Sequence, residues 1–165
     1  MDLNRLFLTF FGLGLSPKAP GTVGSFGALV LAIILLRFIP METFFMLTIA
    51  ISIIGIFEVN KYEKKSKTHD DKSIVIDEVA GMWISLVFSI SVAMELGFSY
   101  SYELSLILSF LSFRLFDIWK PSTIGYIDRK VEGGLGVMGD DILAGFASGA
   151  LTSLILVGIN KWSIL

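Results

Sequence analysis

Five apolar runs make up most of this chain, and carboxylates crowd the ends of three of them: Asp77 and Glu78, Asp117, then Asp140 and Asp141. An unpaired carboxylate buried beside hydrocarbon costs several kcal/mol or loses its charge. Acids placed repeatedly at that boundary point to a shared cation. The pattern reads as a metal site at a membrane surface.

Hydropathy separates helices at roughly 26 to 39, 44 to 60, 77 to 97, 103 to 119 and 140 to 159, joined by polar segments. The third is long enough to span comfortably. The others, at about 14 to 20 residues against the ~20 that a crossing needs, leave tilt, partial embedding or burial in the bundle open. A composition that is 54% hydrophobic and 17% charged, with mean hydropathy +0.77, puts the chain in or on a bilayer. A soluble helical protein with an oily core is the alternative, because Ala144, Gly145, Ala147 and Gly149 suit tight packing in either setting. The expected fold is all-α: a compact helical bundle of about five main helices, several membrane-embedded, plus a short N-terminal helix, in a single domain over residues 1–165. Met1 to Leu15 superficially resembles a signal peptide. Its apolar part is short and no small-residue cleavage site follows, so it reads as a short interfacial helix.

Charge placement orients the bundle. The segment after the second helix carries Lys61, Lys64, Lys65, Lys67 and Lys72, and that after the fourth carries Lys120, Arg129 and Lys130. The opposite turns, around Pro40 to Thr43 and Gly97 to Tyr102, have no lysine or arginine, although Arg37 lies close by. By the positive-inside rule the basic side is cytoplasmic. Alternating helices then bring Asp77, Glu78, Asp117, Asp140 and Asp141 to that same face.

Several chemistries are excluded. There is no cysteine, hence no thiolate metal site or cysteine nucleophile, and the lone His69 cannot build a multi-histidine centre. His69 itself reads as a surface loop residue. A net charge of −2 without a basic, aromatic-lined stripe argues against nucleic acid.

Four segments carry the chemistry. Ser16-Pro17-Lys18-Ala19-Pro20-Gly21-Thr22-Val23-Gly24-Ser25 precedes an apolar helix and combines rigid prolines, glycines, hydroxyls and a cation. It suits a phosphate cradle built from amides near Gly21 to Ser25 and from Lys18, although a capped turn explains it equally simply. It is not a Walker loop, since the lysine comes before the glycines. In the second segment, Asp77 and Glu78 open a helix. One acid there is ordinary capping, worth about 1 kcal/mol, but the doublets Asp77-Glu78 and Asp140-Asp141 exceed that need. Adjacent helical residues diverge by about 100 degrees, so one of Asp77 and Glu78 is expected on the metal and the other on water or ligand.

In the third segment, Asp117 and Lys120 are three apart on one helix face, closed by Pro121. Arg114 lies deeper and needs an anionic partner or must snorkel, while Trp119 fits an interfacial anchor. The fourth, Gly133-Gly134-Leu135-Gly136-Val137-Met138-Gly139, is expected as a loop delivering Asp140 and Asp141 to a helix start. Four glycines in seven residues imply close backbone approach. Hard oxygen ligands of this kind suit magnesium.

With these segments side by side, the chain resembles the phosphatidylglycerophosphatase A family of bacterial lipid phosphatases over nearly its whole length. The resemblance rests on the Ser16 to Ser25 segment, on Ile76-Asp77-Glu78-Val79-Ala80-Gly81-Met82-Trp83, on Phe113-Arg114-Leu115-Phe116-Asp117-Ile118-Trp119-Lys120-Pro121, and on Gly133 through Gly145. It implies magnesium-dependent removal of the terminal phosphate of phosphatidylglycerophosphate, giving phosphatidylglycerol, by a multi-pass protein of the bacterial inner membrane whose active site faces the cytoplasm.

The expected machinery follows from placement. Asp77, Glu78, Asp117, Asp140 and Asp141 hold one or two Mg2+ ions, with Asp77, Glu78, Asp117, Asp141 and Lys120 catalytic. Lys18, Gly21, Thr22, Ser25 and Arg129 bind the substrate phosphate, and Asp70 or Asp128 is available as base. A small transporter and a metal-stabilised scaffold without turnover are the rival classes. Oligomeric state stays open, since the Gly145 and Gly149 face serves packing within or between chains.

Overall fold

Apolar helices that alternate in direction must find neighbours for their small-residue faces, and this chain does so around one central helix. The computed structural model describes residues 2–67 and 71–164. Among them are seven α-helices and no strand: α1 Leu3–Leu8, α2 Pro20–Leu35, α3 Met41–Ser66, α4 Ile76–Leu96, α5 Ser101–Trp119, α6 Thr123–Lys130 and α7 Gly133–Ile164, with a 3-10 turn at Leu13–Leu15. α4 sits at the centre, touching α2, α3, α5 and α7. Its buried residues include Val79, Met82, Trp83, Leu86 and Ile90. The Trp83 indole donates to the Ala28 carbonyl at 2.9 Å, and its ring lies 4.9 Å from that of Phe44, locking α2 and α3 onto α4.

Helix boundaries depart from the hydropathy reading for physical reasons. α2 begins six residues earlier than expected because Pro20, in the first turn, has its φ already set for a helix. α3 continues through Glu58 to Ser66, whose glutamates and lysines favour helix once a turn precedes them, and stops where Lys67 turns left-handed at φ +56°. α7 absorbs the glycine segment expected as a loop. Gly133 takes φ +74°, and the Gly134 amide donates to the Asn60 side chain on α3 at 2.8 Å, so a residue of another helix caps it. The close approach expected of these glycines is real, but it is to protein: a Cβ on Gly134 would strike the Ile56 backbone. α6 falls in a stretch expected as loop.

Three helices, Met41–Ser66, Ile76–Leu96 and Gly133–Trp162, are long and apolar enough to cross a membrane, where only one was expected to span comfortably. α5 points its serines inward and its oils outward. Ser101, Ser105, Ser109 and Ser112 are buried, whereas Ile107, Leu111, Leu115 and Ile118 are exposed. Ser109 bonds Ser89 of α4 at 2.6 Å, and Ser101 donates to the Ala93 carbonyl at 2.9 Å. Polar inside and apolar outside is the reverse of a water-soluble helix and suits hydrocarbon.

Candidate active site

The chain visits one end of the bundle at every second turn, so the starts of α2, α4 and α6 and the end of α5 gather there. The start of α4 is held from outside: the Val75 amide donates to the Leu8 carbonyl at 2.9 Å, and Gly14 packs on the Ser73 carbonyl. Asp71 closes the preceding loop, accepting from the Tyr62 hydroxyl at 2.6 Å and from the Ser73 amide and hydroxyl at 3.0 and 2.9 Å. These bonds, the Tyr62 one first, hold its carboxyl below the usual range. His69 and Asp70 lie outside the described residues.

α4 and α7 run parallel away from this end and cross where Gly81 meets Gly145. Each glycine lies four residues, about 6 Å of helix, beyond an acid: Gly81 after Asp77, Gly145 after Asp141. The crossing therefore brings the two acids face to face. One carboxylate oxygen from each of Asp77, Glu78 and Asp141 lies within 4.8 Å of the other two. The expectation that Asp77 and Glu78 diverge is not met. Glu78 is longer and swings into the space left by Gly21, where a Cβ would collide with its Oε1.

Asp77 Oδ1, Glu78 Oε2 and Asp141 Oδ1 are buried with no hydrogen-bond partner among the described residues. Three converging carboxylates, each with a buried oxygen lacking a donor, would repel one another strongly, and a divalent cation fits that donor set. All-oxygen, anionic ligands are the chemistry of Mg2+ or Ca2+ sites.

The other acids are occupied. Asp140 and Asp141 stand seven residues inside α7 rather than at a helix start, and Asp140 bonds Lys120 at 2.6 Å. Lys120 also bonds Asp128. Burial would depress the Lys120 ammonium, but the bonds to Asp128 and Asp140 outweigh it and hold it above the ordinary lysine range. Asp117 and Lys120, three apart and expected on one helix face, do not share it, because Lys120 lies past the helix end in a left-handed conformation, φ +45°, and turns toward α6 and α7. Asp117 pairs instead with Arg114, the anionic partner that the deep arginine required.

All of this lines a cavity of about 720 Å³. Gly21, Thr22 and Arg129 line it as well. Ser25 is one layer back, donating to the Gly21 carbonyl at 2.8 Å and accepting from Arg114 at 3.2 Å. Lys18 is exposed and does not line the cavity, and only residues 19–22 of the expected cradle do.

The family model described as Phosphatidylglycerophosphatase A matches residues 6–156. The chain belongs to that family. It is 36% identical over 147 residues to the Escherichia coli protein named Phosphatidylglycerophosphatase A, covering 89% of this chain and 80% of that one. It is 35% identical over 161 residues to the Haemophilus influenzae protein of the same name, covering 97% and 90%. A Bacteroides thetaiotaomicron protein provisionally named phosphatidylinositol-3-phosphatase is 36% identical over 169 residues, covering 98% and 96%. No solved structure matches the chain significantly.

In this member of the family the four motifs read from the sequence all reach the same cavity. Besides Arg114, two charged lining residues were given no place in the expected site: Lys72 and Glu132. Each stands in a loop that feeds an acid-bearing helix, and that position was the available signal.

Proposed function

We propose that this chain is a Mg2+-dependent lipid phosphatase that hydrolyses the terminal phosphate of phosphatidylglycerophosphate to give phosphatidylglycerol, at the cytoplasmic face of the bacterial inner membrane. Family membership supports the reaction. The observation that carries the metal is the unpartnered convergence of Asp77, Glu78 and Asp141. The cavity lining holds seven carboxylates against four cations, a formal excess of three negative charges. A dianionic phosphate monoester would be repelled from it unless divalent cation entered with it.

On this reading Asp77, Glu78 and Asp141 hold the ion. Bound Mg2+ supplies positive charge against the phosphoryl oxygens and makes a coordinated water more acidic. The free amides at Gly21 and Thr22, in the first turn of α2, and the Arg129 guanidinium face the same space and suit the phosphate oxygens. Lys120, tied to Asp128 and Asp140, keeps Asp140 from adding a further uncompensated charge. Basic residues at this end support a cytoplasmic orientation, where the headgroup is reached while the acyl tails stay in lipid.

The test is phosphate release from phosphatidylglycerophosphate by the purified full chain, with Mg2+ and with EDTA, and with phosphatidylinositol 3-phosphate as a parallel substrate. Release from phosphatidylglycerophosphate that EDTA abolishes is expected. No release with Mg2+ would leave a scaffold, and preferential release from the inositol lipid would reassign the substrate. A transporter is disfavoured because the acids gather at one end of the bundle rather than along a path through it.

A further inference from the structure

We infer that Arg114 binds the substrate phosphate and that Asp117 acts by holding Arg114 rather than by holding metal; this rests on the lipid-phosphatase reading. Arg114 lies near the end of α5, with its side chain 15% exposed and that of Asp117 12% exposed. Among the described residues a single nitrogen, Nη1, makes all its bonds, to Asp117 Oδ2 and to Ser25 Oγ at 3.2 Å. Ser25 spends its own proton on the Gly21 carbonyl, so it faces Arg114 as an acceptor only. Two helices thus fix one corner of the guanidinium.

The rest of the fork is unused. Nε is buried without a partner, and the hydrogen bonds that Arg114 makes among the described residues leave Nη2 unused. A guanidinium offers five donors in a plane and matches a phosphate edge with two of them. Leaving such donors unpaired in a buried setting is costly, which is reason to look for the acceptor in the cavity that Arg114 lines. Its position fits a phosphate: a Cβ on Gly21 would lie 3.4 Å from Nη1, so the guanidinium sits alongside the first turn of α2 and its free amides. Asp117 lies beside Asp141 but is not one of the three acids whose oxygens converge, and its Oδ2 is taken by the arginine.

Calorimetry on the detergent-solubilised full chain, titrated separately with inorganic phosphate at saturating Mg2+ and with Mg2+ alone, tests this. Arg114→Lys, which keeps the charge and loses the planar fork, is expected to weaken phosphate binding about tenfold or more and to lower kcat about 100-fold, with Mg2+ affinity unchanged. Asp117→Asn should move phosphate affinity in the same direction and leave Mg2+ affinity alone. Wild-type phosphate affinity in Arg114→Lys, or lost Mg2+ affinity with intact phosphate affinity in Asp117→Asn, would overturn the inference. Should Arg114→Lys fail to fold, Ser25→Ala removes one tether and leaves the ion pair: a several-fold weaker phosphate affinity supports the assignment and an unchanged one defeats it. Wild-type protein that binds phosphate but releases none from lipid would refute the enzymatic reading while the binding data still judge Arg114.

Discussion

A methyl group on Gly145 would come within 3.0 Å of the Gly81 Cα, so α4 and α7 touch backbone to backbone at this crossing. Gly149 repeats the contact one turn on, where a Cβ would lie 3.3 Å from the Ser85 Cα. The small-residue face of α7 is thus consumed inside the molecule, in the manner of close-packed membrane helices. Gly145→Ala is expected to push the helices apart, costing about 1–3 kcal/mol and loosening the Asp77 to Asp141 approach. A lowered melting temperature together with weakened Mg2+ binding would be seen; an unchanged Mg2+ affinity would show that the crossing does not set the site.

Asp141→Asn removes one of three mutually repelling carboxylates. In EDTA the variant should melt higher than wild type by a few degrees, corresponding to about 1 kcal/mol or more of relieved repulsion. Added Mg2+ should raise the melting temperature of wild type and not of the variant, since only the former gains a bound ion. Phosphate release should fall at least about 100-fold. A variant less stable than wild type in EDTA would mean that Asp141 is held by bonds rather than strained by charge.

Gly21→Ala places a methyl group where the Glu78 carboxylate now lies. The displaced atoms are the end of a flexible side chain, so stability should change by less than about 1 kcal/mol while activity drops about tenfold or more. Equal losses in the double variant Gly21→Ala with Glu78→Gln and in Glu78→Gln alone would confirm that the two act through one contact.

Lys120→Met strands Asp128 and Asp140, the latter almost fully buried, and should cost about 1–3 kcal/mol at neutral pH. The sign of its pH dependence follows from the raised value of the amine. Its contribution is complete below the ordinary lysine value of 10.5 and fades as pH rises through the higher value in the fold. Urea denaturation of wild type and variant should therefore differ by a constant amount from pH 7 to about 9 and converge only in stronger alkali.

Fold class and the gathering of acids at one end were legible because apolar runs alternate direction, whatever their lengths. Boundaries were less so. Hydropathy stops at the first lysines of α3, but the helix runs on to Ser66, and α7 starts at a glycine capped by Asn60 from a different helix. No window over residues 133–139 contains that information. Partner choice was hidden for the same reason. Asp117 and Lys120 share a helix spacing, yet the left-handed turn at Lys120 sends the lysine to Asp140 and leaves the aspartate to Arg114. The repeated interval from acid to glycine, Asp77 to Gly81 and Asp141 to Gly145, was visible in the sequence, and only the crossing gives it meaning.

The serine-lined side of α5 bears on how the protein is made. A helix carrying Glu103, Arg114 and Asp117 on a partly hydroxylated surface is a poor substrate for insertion by itself. Ser105 bonds the Tyr102 carbonyl within α5, but the hydroxyls of Ser109, Ser101 and Ser112 meet Ser89, Ala93 and Thr152, which belong to α4 and α7. Newly synthesised α5 therefore depends on α4, already beside it as the first leg of a hairpin, and on α7, which leaves the ribosome later and seals the remaining side.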